Sequence, residues 1–249
     1  MHWQDEGIIV GVRRHGETSA IVELLTRKHG RHMGLVRGGR SKRMQPMLQM
    51  GNEVLAEWRA RIEDHLGDYR LEAKTMRAAH LIDHPSALFA LGHVCGLIRL
   101  LPEREPHHGL FDVVRIVLDA LSDHRLAAPL VIRFELHILS ELGFGLDLSE
   151  CALTGQRSDL VFVSPNTGRA ASREAGQPWQ DRLLALPAFL LQHDIPLVMP
   201  DFMDIENGFL LTGHFLERHV YGPRGQQEPD TRRAFISSLL KNKETSLKS

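Results

Sequence analysis

The first eighty residues hold five short apolar runs divided by turn signals, and beyond them the hydrophobic residues change period from that of strands to that of helices. The runs are Gly7 to Val12, Ala20 to Thr26, His32 to Val36, Glu53 to Trp58 and Tyr69 to Ala73. Gly16 precedes the second, His29-Gly30 joins the second to the third as a hairpin loop would, and Gly67-Asp68 introduces the fifth. Five short strands in so little chain predict a small closed barrel, because closure removes the exposed edges that a flat sheet of this size would leave.

Past residue 80, Leu110, Val114, Val117, Leu118 and Leu121 recur at helical spacing, as do Val131, Phe134, Ile138 and Leu142, and Gly143 and Gly145 stop the latter helix. The stretch 149–176, with Ser164-Pro165-Asn166-Thr167-Gly168, is rich in turn residues and reads as an irregular insert or small β-ribbon. Helix is expected again over Asp181 to Gln192, interrupted at Pro187, over Gly208 to Val220, and over Arg232 to Leu240. The expected fold class is therefore α+β: a barrel over 1–80, a mainly helical domain over 81–241 carrying the insert, and a flexible tail over 242–249. A chain of 249 residues accommodates such a pair of domains.

With 43% hydrophobic and 24% charged residues, wholesale disorder is excluded. The start, Met1-His2-Trp3-Gln4-Asp5-Glu6, lacks the basic-then-apolar pattern of a secretory signal, and no apolar run reaches the length of a membrane span. A cytoplasmic protein with no membrane partner is expected. Cys95 and Cys151 are too few for a disulfide framework, and neither sits in a C-x-x-C pair.

The formal net charge of -1 conceals a polarity along the chain. Residues 1–50 carry nine arginines and lysines against Asp5, Glu6, Glu17 and Glu23. The densest cluster is Arg37-Gly38-Gly39-Arg40-Ser41-Lys42-Arg43, between two predicted strands. Glycines let a backbone approach phosphate closely, and the cations neutralise it and release counterions. An ordinary solvated loop is the alternative, but Arg13, Arg14, Lys28 and Arg31 lie in the same small domain and favour a polyanionic partner. The candidate nucleic-acid-binding residues are thus Arg13, Arg14, Lys28, Arg31, Arg37, Arg40, Lys42 and Arg43. Only Trp3, Trp58 and Tyr69 are present to stack on bases, and any of them suits a core, so salt-dependent backbone contacts with little sequence preference are expected.

Enzymatic chemistry finds no starting point. There is no G-x-S-x-G, no Walker loop and no G-x-G-x-x-G opening a helix, so no catalytic residue and no cofactor are assigned. The neighbours His107 and His108 point in different directions, and His80 and His84 share helical spacing but lack the glutamate of H-E-x-x-H and run into Pro85. No metal site is assigned. Cys95 lies among Leu91, Val94, Ile98 and Leu101 as a small hydrophobe, and nothing cationic adjoins Cys151 to activate it. Arg133 and His137, four apart, share a helical face displaced from Phe134 and Ile138, where a solvated surface is the plain reading.

Taken in order, Gly16-Glu17-Thr18-Ser19 leading into Leu24-Leu25-Thr26, His29-Gly30-Arg31, Gly38-Gly39-Arg40-Ser41-Lys42-Arg43, Leu101-Pro102-Glu103, Arg133-Phe134-Glu135-Leu136 and Leu142-Gly143-Phe144 resemble the RecO family of DNA repair proteins over nearly the whole chain. The resemblance implies an N-terminal OB-fold and a helical C-terminal domain. It also implies binding of single- and double-stranded DNA, strand annealing, and help in loading the RecA recombinase onto DNA coated with single-stranded DNA-binding protein. RecR is the implied partner, and the acidic C-terminal tail of the single-stranded DNA-binding protein is implied to dock on the helical domain, with Arg133 matching a basic position of the family motif. Many chains of this family carry paired cysteines for zinc in the insert. Here Cys151-Ala152-Leu153-Thr154 keeps one thiol and Gly168 to Gly176 has none, so a zinc-free insert is expected. An RNA-binding OB module and a metal-dependent hydrolase using the histidines are the rival readings.

Overall fold

The computed structural model describes residues 1–62, 64–191 and 199–246, with side chains as far as 241. β1 (His2–His15), β2 (Ser19–Thr26), β3 (Arg31–Val36), β4 (Glu53–Arg59) and β5 (Asp68–Thr75) form a closed barrel in the order β1-β2-β3-β5-β4. β3 and β5 close it in parallel, at Leu35 and Asp68, while the other pairs are antiparallel. β1 is longer than its apolar run because one strand serves two neighbours. Its first half pairs with β4 from His2 opposite Arg59 to Ile8 opposite Glu53, and its second half with β2 from Gly7 opposite Thr26 to His15 opposite Ser19. Residues His2 to Glu6, polar except for Trp3, are held extended by the β4 ladder, a non-local cause that no local pattern announces.

Ile9, Val22, Leu24, Val36, Val54, Ala56, Trp58 and Tyr69 fill the barrel. Gly34 is required there, since a Cβ would come within 2.4 Å of the Tyr69 ring. Ile8 and Val10 are buried on the outer face as well, where the helix Pro85–Ile98 packs on β1, so the strand reads as a continuous rather than an alternating apolar run. The β3–β4 connection, 37–52, plugs the barrel with Leu48, Met44 and Met47. Fully buried Asn52 ties this plug down, its Nδ2 donating to the carbonyls of Pro46 (2.9 Å) and Met47 (3.0 Å) and its Oδ1 accepting from Ala78 N–H (3.0 Å).

α1 (Arg77–Leu81), α2 (Pro85–Ile98) and α3 (Leu110–Ala120) follow, then α4 (Ala127–Glu141). α4 ends in a Schellman motif: Gly143 has φ 87°, its N–H donates to Ser140 O (2.9 Å), and Phe144 N–H donates to Leu139 O (2.7 Å). In the insert, β6 (Leu160–Val163), β7 (Ala170–Ser172), the short α5 (Arg173–Gly176) and β8 (Leu184–Ala185) follow, the strands forming a small sheet of order β7-β6-β8. α6 (Phe202–Leu216) runs on into a π-helical turn, Glu217–Tyr221, and α7 (Asp230–Ser246) is the last helix among the described residues.

The helix expected over 181–192 is not formed. Gln177–Arg182 and Ala188–Leu190 are 3-10 turns, and β8 between them pairs with β6, with Leu186 N–H donating to Val161 O (2.9 Å). A sheet partner and Pro187 together outweigh the local helical pattern; Gln192, at the end of that stretch, lies outside the described residues. Of the tail, 242–246 is helical backbone within α7, and 247–249 lies outside the described residues.

By packing, the chain forms two compact units. One is Met1–Ser122 together with the segment from Pro229 onward, in which α7 lies on α2 and Gly92 lets Thr231 approach. The other is Asp123–Glu228, in which α4 packs on α6. Among the described residues no helix is long and apolar enough to cross a membrane.

Candidate nucleic-acid interface

The glycine-flanked loop is built as a clamp across the β1–β2 turn. Gly38 has φ 68°, and Gly39 leaves no room for a side chain, a Cβ there lying 2.9 Å from that of Ala20. Arg40 N–H donates to Thr18 O (3.0 Å) and its guanidinium to Gly16 O (2.9 Å). Ser41 O then accepts from the N–H groups of Met44 (3.0 Å) and Gln45 (3.1 Å), turning the chain into the plug. Arg13 and Arg14 stand opposite Ile21 and Ala20, beside the same turn. One end of the barrel therefore gathers Arg13, Arg14, Arg40, Lys42 and Arg43, all exposed. Arg13, Arg14, Lys42 and Arg43 make no ion pair among the described residues, so their charge faces solvent.

The remaining candidates are placed differently. Arg37 is exposed and holds Asp68 in a two-point contact, at 3.0 and 3.2 Å. Exchange of that solvent-exposed carboxylate for a phosphate costs little. Lys28 is exposed but belongs to the β2–β3 turn, at the opposite end of the barrel. Arg31 is drawn into the fold. Its side chain is 13% exposed, pairs with Glu23 and, at 3.7 Å, with Glu103, and donates from Nε to Leu101 O (2.8 Å). Arg133, in the other compact unit, is half-buried on α4 and donates to Phe189 O at 2.5 Å.

The topology also collects cations that a count over the first fifty residues misses: Arg59, Arg61 and Arg70 beside Asp68, the partner of Arg37, and Arg104, from the segment after α2, beside Lys28. It also settles the aromatic residues. Trp58 and Tyr69 are core, whereas Trp3 is half-buried and lies between near-parallel partners, His29 at 4.2 Å and 9° and Trp58 at 5.6 Å and 20°. These rings border a cleft of about 400 Å³ that Lys28, His32 and Arg104 also line.

Burial, followed by the charge of Arg104, lowers the His32 pKa from 6.5 to about 4, so the ring is neutral in the folded protein at pH 7. In the unfolded chain it takes up a proton near 6.5, so between that pH and about 4 the unfolded state binds more protons and stability falls as pH drops. His32→Gln removes this contribution. The stability of wild type relative to the variant, read from urea denaturation, is expected to shrink between about pH 7 and about pH 5; a constant difference would refute the assignment.

A five-stranded barrel of order β1-β2-β3-β5-β4, plugged between its third and fourth strands and cationic at the rim, defines an OB-fold protein with an anion-facing surface. Residues 1–76 match the family description Recombination protein O N terminal, and residues 83–228 match Recombination protein O C terminal. The chain is 55% identical to the DNA repair protein RecO of Rhodopseudomonas palustris (strain TIE-1) over 242 residues, 97% of each chain. It is 54% identical to that of Mesorhizobium japonicum over 98% of this chain and 96% of the relative, and 51% identical to that of Brucella abortus (strain 2308) over 96% of each. The chain belongs to the RecO family, and its role lies in DNA repair and recombination.

The zinc implied for many family members has no suitable donor set among the described residues. Cys151 heads a turn in which its carbonyl accepts from Gly155 N–H (2.8 Å), and its sulfur lies 3.5 Å from Ser172 Oγ. Burial pushes the thiol up, but donation from the Thr154 hydroxyl, the Ser172 N–H and hydroxyl and the Leu153 N–H outweighs it, giving a pKa of about 6. The sequence offered no cation to activate this thiol, and hydrogen bonds do so instead. Neutral hydroxyls replace the thiolates that a structural zinc site uses. Tag-free protein is expected to contain far less than one zinc per chain by atomic emission, and stoichiometric zinc would overturn this.

Proposed function

We propose that the protein is a non-enzymatic recombination mediator. The barrel holds single- and double-stranded DNA by its phosphates, and the helical part recruits the acidic C-terminal tail of single-stranded DNA-binding protein, with RecR as a further partner. Annealing then needs no bond to be made or broken. Neutralised phosphates repel less, and two strands held on one protein meet at high local concentration. RecA loading follows where the coated strand is opened. The observation that carries this reading is the clamp itself: a buried-glycine loop, hydrogen-bonded to the β1–β2 turn, that presents Arg40, Lys42 and Arg43 beside Arg13 and Arg14. Exposed Arg37 extends this surface, exposed Lys28 adds a cation at the other end of the barrel, and Arg31, drawn into the fold, belongs to neither.

Annealing of complementary strands, bare or coated with single-stranded DNA-binding protein, tests both halves. Arg133→Ala is expected to anneal bare strands at the wild-type rate and coated strands at least tenfold more slowly, since a charge-assisted contact contributes about 1.5–3 kcal/mol. Equal rates on coated strands would remove Arg133 from the partner site. Failure of the wild type to anneal either substrate would remove the mediator reading.

A further inference from the structure

Resting on the DNA reading, we infer that the cleft bounded by Trp3, His29 and Arg104 is a stacking subsite for an unpaired nucleobase, which gives the barrel a preference for single strands over phosphate backbone alone. The rings form a series from buried Trp58 through half-buried Trp3 to His29, whose side chain is 34% exposed. His29 is fixed in place. Its Nδ1 lies 3.0 Å from Asp5 Oδ2, and because a carboxylate only accepts, Nδ1 carries the proton. The same Asp5 oxygen accepts from Lys28 N–H (2.7 Å), which sets the whole turn.

The opposite wall is equally built. Gly30 packs so closely on the 103–106 segment that a Cβ would lie 2.0 Å from Glu105 O. Arg104 N–H donates to Arg31 O (2.7 Å), and Arg104 takes φ 62°, a strained backbone for an arginine that only the surrounding structure can impose. That geometry leaves the Arg104 side chain 28% exposed, its guanidinium donating to His65 O (2.9 Å), on a cleft that also has Lys28 at its edge. A volume of about 400 Å³ suits a small planar ligand. Aromatic surface for a base, flanked by cations for the phosphates on either side of it, is the chemistry of a single nucleic-acid strand.

The test compares a labelled thymidine 12-mer with an abasic phosphodiester 12-mer by anisotropy. Wild type is expected to bind the base-bearing strand about tenfold more tightly, the scale of one stacked base. His29→Ala is expected to reduce that ratio to about one and leave abasic binding unchanged, while His29→Phe keeps it. The same ratio in wild type and His29→Ala, or no preference in wild type when both strands bind, would overturn the subsite and leave phosphate binding standing. If neither strand binds, the DNA reading falls and the subsite with it. Independently of any variant, 5-iododeoxyuridine in the strand is expected to photocrosslink to Trp3 or His29, and adducts confined to the clamp loop would refute the assignment.

Discussion

Replacing Arg40, Lys42 and Arg43 together by alanine is expected to lower the affinity for single-stranded DNA by about 100-fold at ~0.1 M salt. Each phosphate contact on a single strand contributes about 0.7 to the salt slope, so three lost contacts flatten the slope by about 2. All three side chains are exposed, and the one structural bond lost is that of the Arg40 guanidinium to Gly16 O, while the loop's backbone bonds to Thr18 and within the plug remain. The variant is therefore expected to melt close to wild type, within about 1 kcal/mol, the net contribution of one hydrogen bond. Anisotropy titrations across a salt series decide it. A slope unchanged in the triple variant would move the phosphate contacts elsewhere on the barrel.

Arg31→Ala has the opposite signature. It removes a side chain that is 13% exposed from a carboxylate, Glu23, that is 8% exposed, and leaves Glu23 with Arg99 at 2.9 Å as its remaining ion-pair partner. It also leaves Leu101 O without its donor. Breaking such a buried pair costs about 3 kcal/mol, a drop of roughly 10 °C in Tm for a chain of this size. The salt slope of DNA binding is expected to remain that of the wild type. A variant that melted normally and bound DNA weakly would return Arg31 to the binding surface.

Arg31 and Arg40 look alike in the sequence: each is a cation next to a glycine turn in a basic segment. What separates them is the partner that each meets, and those partners come from elsewhere in the chain, Glu23 and Leu101 for one and the carbonyl of Gly16 for the other. Arg37 and Asp68 make the same point, since the parallel closure of β3 on β5 is what brings them together. Trp3 is a further case. Its stack on His29 joins the first residues of β1 to the β2–β3 turn, and no local pattern distinguishes it from Trp58, which the barrel buries.

Local patterns sufficed for the apolar cores of the five barrel strands, the change of period near residue 80, the helix stop at Gly143 and the cationic glycine loop, because each rests on hydrophobic period or on backbone freedom of nearby residues. They did not suffice for 181–192, where the insert sheet took residues that a helical pattern claimed, or for the pKa of Cys151, which donors twenty-one residues away help to lower. Residue type and order alone thus set most of the strands and helices and where positive charge is concentrated. Which of those charges are neutralised inside the fold and which face solvent was settled by folding, because ion pairing depends on distances of a few ångströms between residues that the chain order keeps far apart.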